Sequence, residues 1–259
     1  MKHTAHLSLS ALFTAALAIA LPAQSNASEA WDYAHGTERW GLVDSAYASC
    51  SYGLEQSPID VNRHEASQHA LPPIDMQYQP SVALNVANNG HTLQGVPATG
   101  GNILNIRGKV YTLLQFHIHA ASETFLDGEQ YPLELHFVHR AADGSLAVVG
   151  LLFDEGAADP ELQKLIDAAP QAEGGSGHIP AFALGRYVPT GTVYRFAGSL
   201  TTPPCSEGVA WHISSTVRTA SLAQLAEFAS RYSGNEFPGG NRRPVQALNG
   251  RRIDISHVK

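Results

Sequence analysis

The stretch from residue 110 to residue 140 reads VYTLLQFHIHAASETFLDGEQYPLELHFVHR and predicts a β-hairpin. Two β-rich runs, 110–119 and 133–140, flank the dipeptide Asp127-Gly128. This dipeptide is favoured at the tip of a tight two-residue turn, and β-rich runs on either side of a turn are typical of paired strands. We therefore expect two antiparallel strands that are joined near Asp127 and Gly128.

Three histidines fall on one face of this predicted hairpin. Side chains two residues apart on a strand share a face, so His117 and His119 point the same way. With the turn centred on Asp127-Gly128, residue i pairs with residue 255 − i, and His119 faces 255 − 119 = 136, which is also a histidine. Directly opposed Cβ atoms lie ~5 Å apart and diagonal neighbours ~7 Å apart, so all three rings are within reach of one another.

Three imidazoles that converge from a rigid sheet are typical of a catalytic zinc site, which leaves a fourth position for water. Neutral ligands leave the metal its full charge, which lowers the pKa of that water towards ~7. Gln115 beside His117, and Glu134 two residues before His136, can hold the second ring nitrogen of each ligand. The alternatives are three ordinary buried histidines, or a cupin-like iron or manganese site in which Glu123 is itself a ligand.

The rest of the chain predicts a mainly β protein with few helices. Helices are predicted at 160–168, where Asp159 precedes a proline in the first turn, and at 222–231, where Ser221 and Gln224 have capping-box spacing. The Gly-rich stretch 170–180 is interpreted as a loop. No linker divides the chain. Further β-rich runs cover 84–87, 92–96, 102–106, 146–153, 193–196 and 209–214.

Composition and charge exclude several classes of protein. The chain has 259 residues, of which 44% are hydrophobic and 15% charged, and its net charge is −7. This composition is globular and not disordered. A nucleic-acid-binding protein needs a basic footprint, which the acidic balance does not provide. We expect a small-molecule substrate and no nucleic-acid partner.

The N-terminus has the pattern of a secretory signal peptide. Lys2 is the only charged residue before Glu29, and the apolar run 7–21 is too short to span a bilayer. Ser25 and Ala27 place small residues at the −3 and −1 positions of a cleavage site. We predict a signal peptide over 1–27, a single domain over 28–259, no membrane span after cleavage, and a periplasmic or secreted protein; an uncleaved anchor is the alternative.

Cysteine is scarce, with Cys50 and Cys205 as its only two positions. An oxidising compartment favours a disulfide between two such residues. A cysteine metal site and a catalytic thiol are the alternatives, and the absence of a CxxC spacing disfavours the first.

Taken together, the motifs resemble those of the α-class carbonic anhydrases of the exported bacterial type. The matching blocks follow the family's order from Trp31 to about Ile255, which is nearly the whole predicted mature chain. The blocks are QSPI at 56–59, NNGH at 88–91, QFHIH at 115–119, SE at 122–123, ELHFVH at 134–139, GSLTTPPC at 198–205 and NRRPVQ at 241–246.

The resemblance implies a single domain on a large, mostly antiparallel twisted sheet of about ten strands, with a few short peripheral helices. It implies zinc at the bottom of a conical cleft and the reversible hydration of carbon dioxide to bicarbonate and a proton, by attack of zinc-bound hydroxide on CO2. It also implies that Cys50 and Cys205 pair. A homodimer is left open.

The resemblance also implies roles for individual residues. The zinc ligands match His117, His119 and His136, and Gln115 and Glu134 match the residues that orient them. Glu123 and Thr201 match a relay that orients the nucleophile, and His91 matches the proton shuttle. The positions that match the substrate wall are Val138, Val148, Leu200, Thr201, Thr202 and Trp211.

Two positions depart from the family's pattern. Thr124 follows the relay glutamate where the family usually has histidine, and Phe196 stands where the family often has tyrosine. We hypothesise that the joint replacement is compensatory, because losing both polar partners avoids a stranded buried group. The second functional hypothesis is a non-catalytic binding relative, although such relatives typically lack a ligand histidine that this chain has.

Overall fold

The computed structural model describes residue 1, residues 31–67 and residues 71–259. The predicted cleavage site, and all of the predicted signal peptide except its first residue, lie outside these residues. Within the described part of the chain, no helix is long and apolar enough to cross a membrane.

The strands of the described residues are β1 Asp60–Val61, β2 Asp75–Gln77, β3 Val82–Asn88, β4 Leu93–Pro97, β5 Ile103–Ile106, β6 Lys109–His119, β7 Phe125–Leu126, β8 Glu129–Gln130, β9 Leu133–Ala141, β10 Leu146–Glu155, β11 Ser176–Phe182, β12 Thr192–Ser199, β13 Glu207–Ser214, β14 Arg218–Ala220 and β15 Asp254–His257. They are dominated by one sheet of 12 strands, which runs β11-β3-β4-β6-β9-β10-β13-β12-β15, with β14 beside β10, and β5 between β2 and β6. Within this sheet the pairs β10–β13 and β10–β14 are parallel and the others antiparallel. The prediction of a mainly β protein on one large sheet is confirmed.

The helices are short and lie outside the sheet. They are α1 Trp40–Val43, α2 Ser49–Tyr52, α3 Pro160–Ala168 and α4 Leu222–Arg231, with 3₁₀ turns at Thr37–Arg39, Ser45–Tyr47 and Leu184–Tyr187. Both predicted helices are confirmed: Asp159 caps α3, and Ser221 and Gln224 form the capping box of α4. The interpretation of 170–180 as a loop is wrong in its second half, because β11 begins at Ser176 and pairs with β3.

The central hairpin has its turn where the sequence predicts it but a different register. Asp127 and Gly128 both have positive φ, and they join the short strands β7 and β8. On β6 and β9, however, His117 pairs with His136, and His119 pairs with Glu134. The expected pairing of His119 with His136 is therefore wrong by two residues.

The irregular segments between the two strand pairs are unequal, and they account for this shift. Residues 120–124 separate the paired His119 from Phe125, whereas residues 131–133 separate Gln130 from Glu134, so one segment is two residues longer than the other. A shift of two residues keeps every side chain on its face, since the side-chain period of a strand is two. The prediction that the three histidines share a face is therefore confirmed.

The two faces of the sheet carry separate apolar clusters. On one face Phe116 of β6 and Phe137 of β9 belong to the larger cluster, together with Val149 of β10. On the other face Val138 and Val148 belong to a smaller cluster, and this is the face of the three histidines. A disulfide joins Cys50 to Cys205, which ties α2 to the segment after β12, and it leaves no free cysteine in the described residues.

Candidate active site

Strands β6 and β9 bring three imidazole rings together. The ring centroids of His117, His119 and His136 lie 5.0, 5.3 and 4.6 Å apart in the three pairings. One ligand atom from each residue lies within 4.8 Å of the other two, a spacing that can hold a metal ion. His119 and His136 are fully buried and His117 is partly exposed, so the cluster forms the floor of a recess.

Each ring has one nitrogen held by the protein. His117 Nδ1 lies 2.9 Å from Gln115 Oε1, and His119 Nδ1 lies 2.7 Å from the carbonyl oxygen of Asn241. His136 Nε2 lies 2.9 Å from Glu134 Oε1, in a close polar contact whose N–H is not aligned for a regular hydrogen bond. These oxygens can only accept hydrogen bonds, so the ring nitrogen that faces each of them carries the hydrogen. Nε2 of His117, Nε2 of His119 and Nδ1 of His136 therefore keep their lone pairs.

The buried polar atoms fit a cation at this position. His119 Nε2 and Glu123 Oε2 have no hydrogen-bond partner among the described residues. Burial lowers the pKa of both His117 and His119, which keeps these rings neutral and able to coordinate. Three imidazoles beside carboxylates form a donor set that suits zinc.

Glu134 is shared between the ligand His136 and the backbone. Its second oxygen, Oε2, accepts hydrogen bonds from the backbone N–H groups of Glu123 and Thr124 at 2.9 and 2.8 Å. Burial alone acts to raise its pKa, but His136 and the Thr124 N–H lower it overall. Glu134 is therefore a fixed anion behind His136. A Cβ at Gly150 would lie 2.9 Å from its Oε1, so a residue without a side chain leaves room for it.

Glu123 is fully buried beside the ligand cluster. Its Oε1 accepts a hydrogen bond from the Arg243 N–H at 2.7 Å, and its Oε2 lies 3.4 Å from His119 Nε2. Burial raises its pKa to about 7, while His136 and the Thr201 hydroxyl act to lower it. The Thr201 hydroxyl thus lies close to Glu123, and these are the two residues that the family resemblance places in one relay.

An apolar row extends from the histidines across the sheet. Val138 pairs with Val148, and Val148 pairs with Trp211 on the next strand. The Trp211 ring contacts His136 edge-on at 4.9 Å between centroids, and Leu200 packs against the same cluster. These positions form an apolar wall beside the ligands.

His91 and Thr202 lie at the rim. Together with His117, His119 and Gln115 they line a cavity of about 120 Å³. The His91 ring stacks on Trp31 at 3.8 Å between centroids. Partial burial lowers the pKa of His91, and Glu173 and Asp32 act to raise it.

The two positions that depart from the family's pattern are both buried. Phe196 stacks on Trp211, with ring centroids 6.0 Å apart. The Thr124 hydroxyl has no partner among the described residues. The replacement therefore leaves one stranded hydroxyl, which the hypothesis of full compensation did not anticipate.

Sequence reasoning from the residues missed two parts of the site. Asn241 and Arg243 lie more than 100 positions from the ligands, in a segment without regular structure. Arg243 is a buried cation whose guanidinium binds Gln56 Oε1 and the carbonyl oxygens of Ser57 and Cys50. The block NRRPVQ was the only signal that could have indicated them.

The structure is a mainly β domain with three histidines at the floor of a cleft, and these can hold a metal ion. The protein therefore has the features of a β-sheet metalloprotein. The family model described as eukaryotic-type carbonic anhydrase matches residues 35–257. The carbonic anhydrase of Pectobacterium carotovorum is 40% identical over 244 residues, which cover 92% of this chain and 95% of that protein. The chain belongs to the carbonic anhydrase family.

Solved structures agree with this assignment. The α-carbonic anhydrase from Thermovibrio ammonificans in complex with the inhibitor sulfanilamide has a TM-score of 0.80 and 38% identity, covering 87% of this chain and 98% of that one. The α-carbonic anhydrase of Photobacterium profundum has a TM-score of 0.76 and 41% identity, covering 85% and 96%. The cupin-like alternative is thereby excluded.

Proposed function

We propose that the protein catalyses the zinc-dependent, reversible hydration of carbon dioxide to bicarbonate and a proton. The observation that carries this proposal is the convergence of three imidazoles, from His117, His119 and His136, each with its other nitrogen facing a protein acceptor. These three residues would hold a zinc ion, which would supply a nucleophile at neutral pH by lowering the pKa of a bound water to about 7.

Glu123 and Thr201 orient the reacting groups. An ionised Glu123 would accept a hydrogen bond from the Thr201 hydroxyl, and the lone pairs of the Thr201 oxygen would then be free to accept a hydrogen bond from the nucleophile. Holding one lone-pair direction fixed in this way favours productive geometry by pre-organisation. The Arg243 N–H holds Oε1 of Glu123, and its second oxygen lies 3.4 Å from His119 Nε2 and 3.8 Å from His136 Nδ1.

The apolar wall provides the place for carbon dioxide. CO2 is linear, small and without net charge, so it needs a dry surface and not a charged clamp. Val138, Val148 and Trp211 form such a surface beside His136, with Leu200 against the same cluster. Thr201 and Thr202 are the two further residues that are proposed to line the substrate site.

His91 is proposed to carry the released proton out of the cleft. It lies at the rim of the cavity that also contains His117 and His119. An imidazole titrates close to neutral pH, so it can accept a proton inside the cleft and pass it to buffer outside.

We also propose that the mature protein is a single domain over 28–259 and is exported to the periplasm or secreted. The disulfide between Cys50 and Cys205 supports this, because such bonds persist in oxidising compartments. The signal-peptide pattern of residues 1–27 supports the same route. No partner other than the small-molecule substrate is proposed.

Stopped-flow measurement of CO2 hydration tests the proposal. The protein is assayed after loading with one equivalent of zinc, after removal of metal by a chelator, and after reloading. We expect fast hydration that disappears on stripping and returns with zinc. A zinc-loaded protein no faster than the stripped one would contradict the proposal and support a non-catalytic binding relative.

A further inference from the structure

The side chain of Asn241 links the floor of the cleft to its rim. It is fully buried. Its Oδ1 accepts a hydrogen bond from the Ala120 N–H at 2.9 Å, and its Nδ2 donates to the carbonyl oxygens of Ile118 at 2.8 Å and of His91 at 3.1 Å. Ile118 and Ala120 flank the ligand His119, so one amide connects the end of β6 to the loop that carries His91.

His91 has few other attachments. Its backbone N–H donates to Asn89 Oδ1 at 3.0 Å, which is a bond within its own turn. Its ring stacks on Trp31. Among the described residues, the bond from Asn241 is the one hydrogen bond that ties the His91 backbone to another part of the fold. The next residue, Thr92, is bonded through its hydroxyl to the Ile118 backbone at 2.6 and 3.2 Å. The half-buried bond from Asn241 takes the carbonyl oxygen of His91 and is the contact that holds His91 itself above the ligand strand.

We infer that Asn241 is a positioning residue for His91: its side-chain amide sets the distance between the proton-carrying imidazole and the three-histidine floor. This inference rests on the proposed function, in which His91 moves the proton. Asn241 contacts no reacting atom through its side chain, and it acts through the His91 backbone. Its own carbonyl oxygen, which holds His119, is a backbone group and remains in place when the side chain is shortened.

The steady-state parameters separate this role from a structural one. At low substrate, kcat/KM reports interconversion of CO2 and bicarbonate, whereas kcat at low buffer also includes export of the proton. Misplacing a catalytic group by about 1 Å can cost on the order of 10²-fold. We therefore expect Asn241→Ala to lower kcat in weak buffer about 10-fold or more, and to leave kcat/KM within about twofold of the wild type.

Two further measurements assign the loss to His91. High imidazole, an external proton acceptor, should restore kcat in Asn241→Ala. In a His91→Ala background, adding Asn241→Ala should lower kcat no further, because two changes that act through one group are not additive. If kcat and kcat/KM fall together and imidazole does not restore kcat, or if the losses add, the inference is wrong.

A matched control removes a buried asparagine elsewhere. Asn102 is equally buried, and its Oδ1 accepts from the Gln79 N–H at 2.9 Å, far from the cleft. Asn102→Ala should keep the wild-type ratio of kcat to kcat/KM. If Asn241→Ala does not fold, Asn241→Asp carries the test, since it keeps an acceptor for Ala120 and loses both donors.

NMR of the His91 imidazole nitrogens in the zinc-loaded protein separates this inference from the proposed function. Asn241→Ala should shift or broaden the His91 ring signals, and Asn102→Ala should leave them unchanged. Unchanged His91 signals in Asn241→Ala would overturn the inference. A wild-type protein that hydrates no CO2 would instead overturn the proposed function, and the His91 signals would still show whether Asn241 fixes the residue.

Discussion

Two histidines of β9 lie three residues apart and face opposite sides of the sheet. His136 faces the cleft, where one ring nitrogen meets Glu134 and the other points at His119 and Glu123. His139 faces the larger apolar cluster, where Nε2 lies 2.7 Å from the Tyr78 hydroxyl and Nδ1 lies 3.3 Å from the Ala147 carbonyl oxygen. Both rings are fully buried, yet only His136 keeps a nitrogen for a metal ion.

The difference shows that burial does not decide which histidine is functional. The Ala147 carbonyl can only accept, so His139 Nδ1 donates to it and Nε2 accepts from Tyr78. Both nitrogens are then used, and the ring is structural. The cleft instead supplies one acceptor for each ligand ring, which leaves one lone pair per ring directed at a common point.

The sharpest test of this contrast removes each ring in turn. His136→Ala should abolish stoichiometric zinc binding and lower CO2 hydration to the level of the metal-stripped protein, because two imidazoles no longer complete the site. His139→Ala should bind one zinc per chain, although it loses about 1–3 kcal/mol of stability by stranding the Tyr78 hydroxyl. Metal analysis after dialysis measures both, and zinc loss in His139→Ala would break the contrast.

The carboxylate of Glu134, behind His136, should affect how tightly zinc binds more than whether zinc binds at all. Glu134→Gln removes the anion beside His136 Nε2, and we expect the zinc dissociation constant to rise about 10- to 100-fold. Competition with a chromophoric chelator measures it. Glu155→Gln, at the exposed end of β10, is the control and should keep wild-type affinity. Equal affinity in the two variants would show that Glu134 does not support the ligand.

The buried histidines His139 and His212 should make the folded protein less stable in acid. Burial lowers the pKa of His139 to about 4 and that of His212 to about 3, whereas unfolded histidine titrates near 6.5. As the pH falls through 6.5 the unfolded chain gains protons that the folded chain does not, so this contribution to stability is complete above that pH and is lost progressively down to about pH 4 for His139 and about pH 3 for His212.

A variant isolates the share of His139. From pH 7 to pH 5, His139→Leu should lose about 2 kcal/mol less unfolding free energy than the wild type, measured by urea titration at each pH. Equal losses in the two proteins would mean that His139 does not stay neutral in the fold.

The smallest effect concerns the two positions behind Glu134 and Trp211. The Thr124 hydroxyl is stranded, and Phe196 fills an apolar site. Thr124→His alone should not stabilise the protein, whereas together with Phe196→Tyr it should gain about 1 kcal/mol of coupling energy in a double-mutant cycle. If the single change stabilises as much as the pair, the two positions are independent.

Local signals in the sequence predicted much of the fold. The cap residues Asp159 and Ser221 set the starts of α3 and α4, and Asp127-Gly128 set the turn of the hairpin. The register of β6 and β9 could not be predicted, because it depends on the unequal segments 120–124 and 131–133 between the paired positions. The prediction that the three histidines share one face of the sheet was nevertheless right, because a register shift of two residues keeps every side chain on its face.

From the residues alone, the candidate site was predictable where its members lie on strands; His91, Glu123 and Thr201 lie outside the strands and were indicated only by the family resemblance. Gln115 and Glu134 each stand two residues before the ligand that they contact, which strand periodicity indicates. Asn241 reaches His119, Ile118 and His91 from a segment without regular structure. No periodicity connects such a segment to its partners, so only the folded chain shows its role.

Anomalous diffraction at the zinc edge from crystals of the zinc-loaded protein tests the central claim most directly. We predict one strong peak about 2.0–2.1 Å from Nε2 of His117, Nε2 of His119 and Nδ1 of His136, with Glu123 outside bonding distance. A peak bonded to Glu123, or one beside His139 and Tyr78 on the other face of β9, would contradict the account.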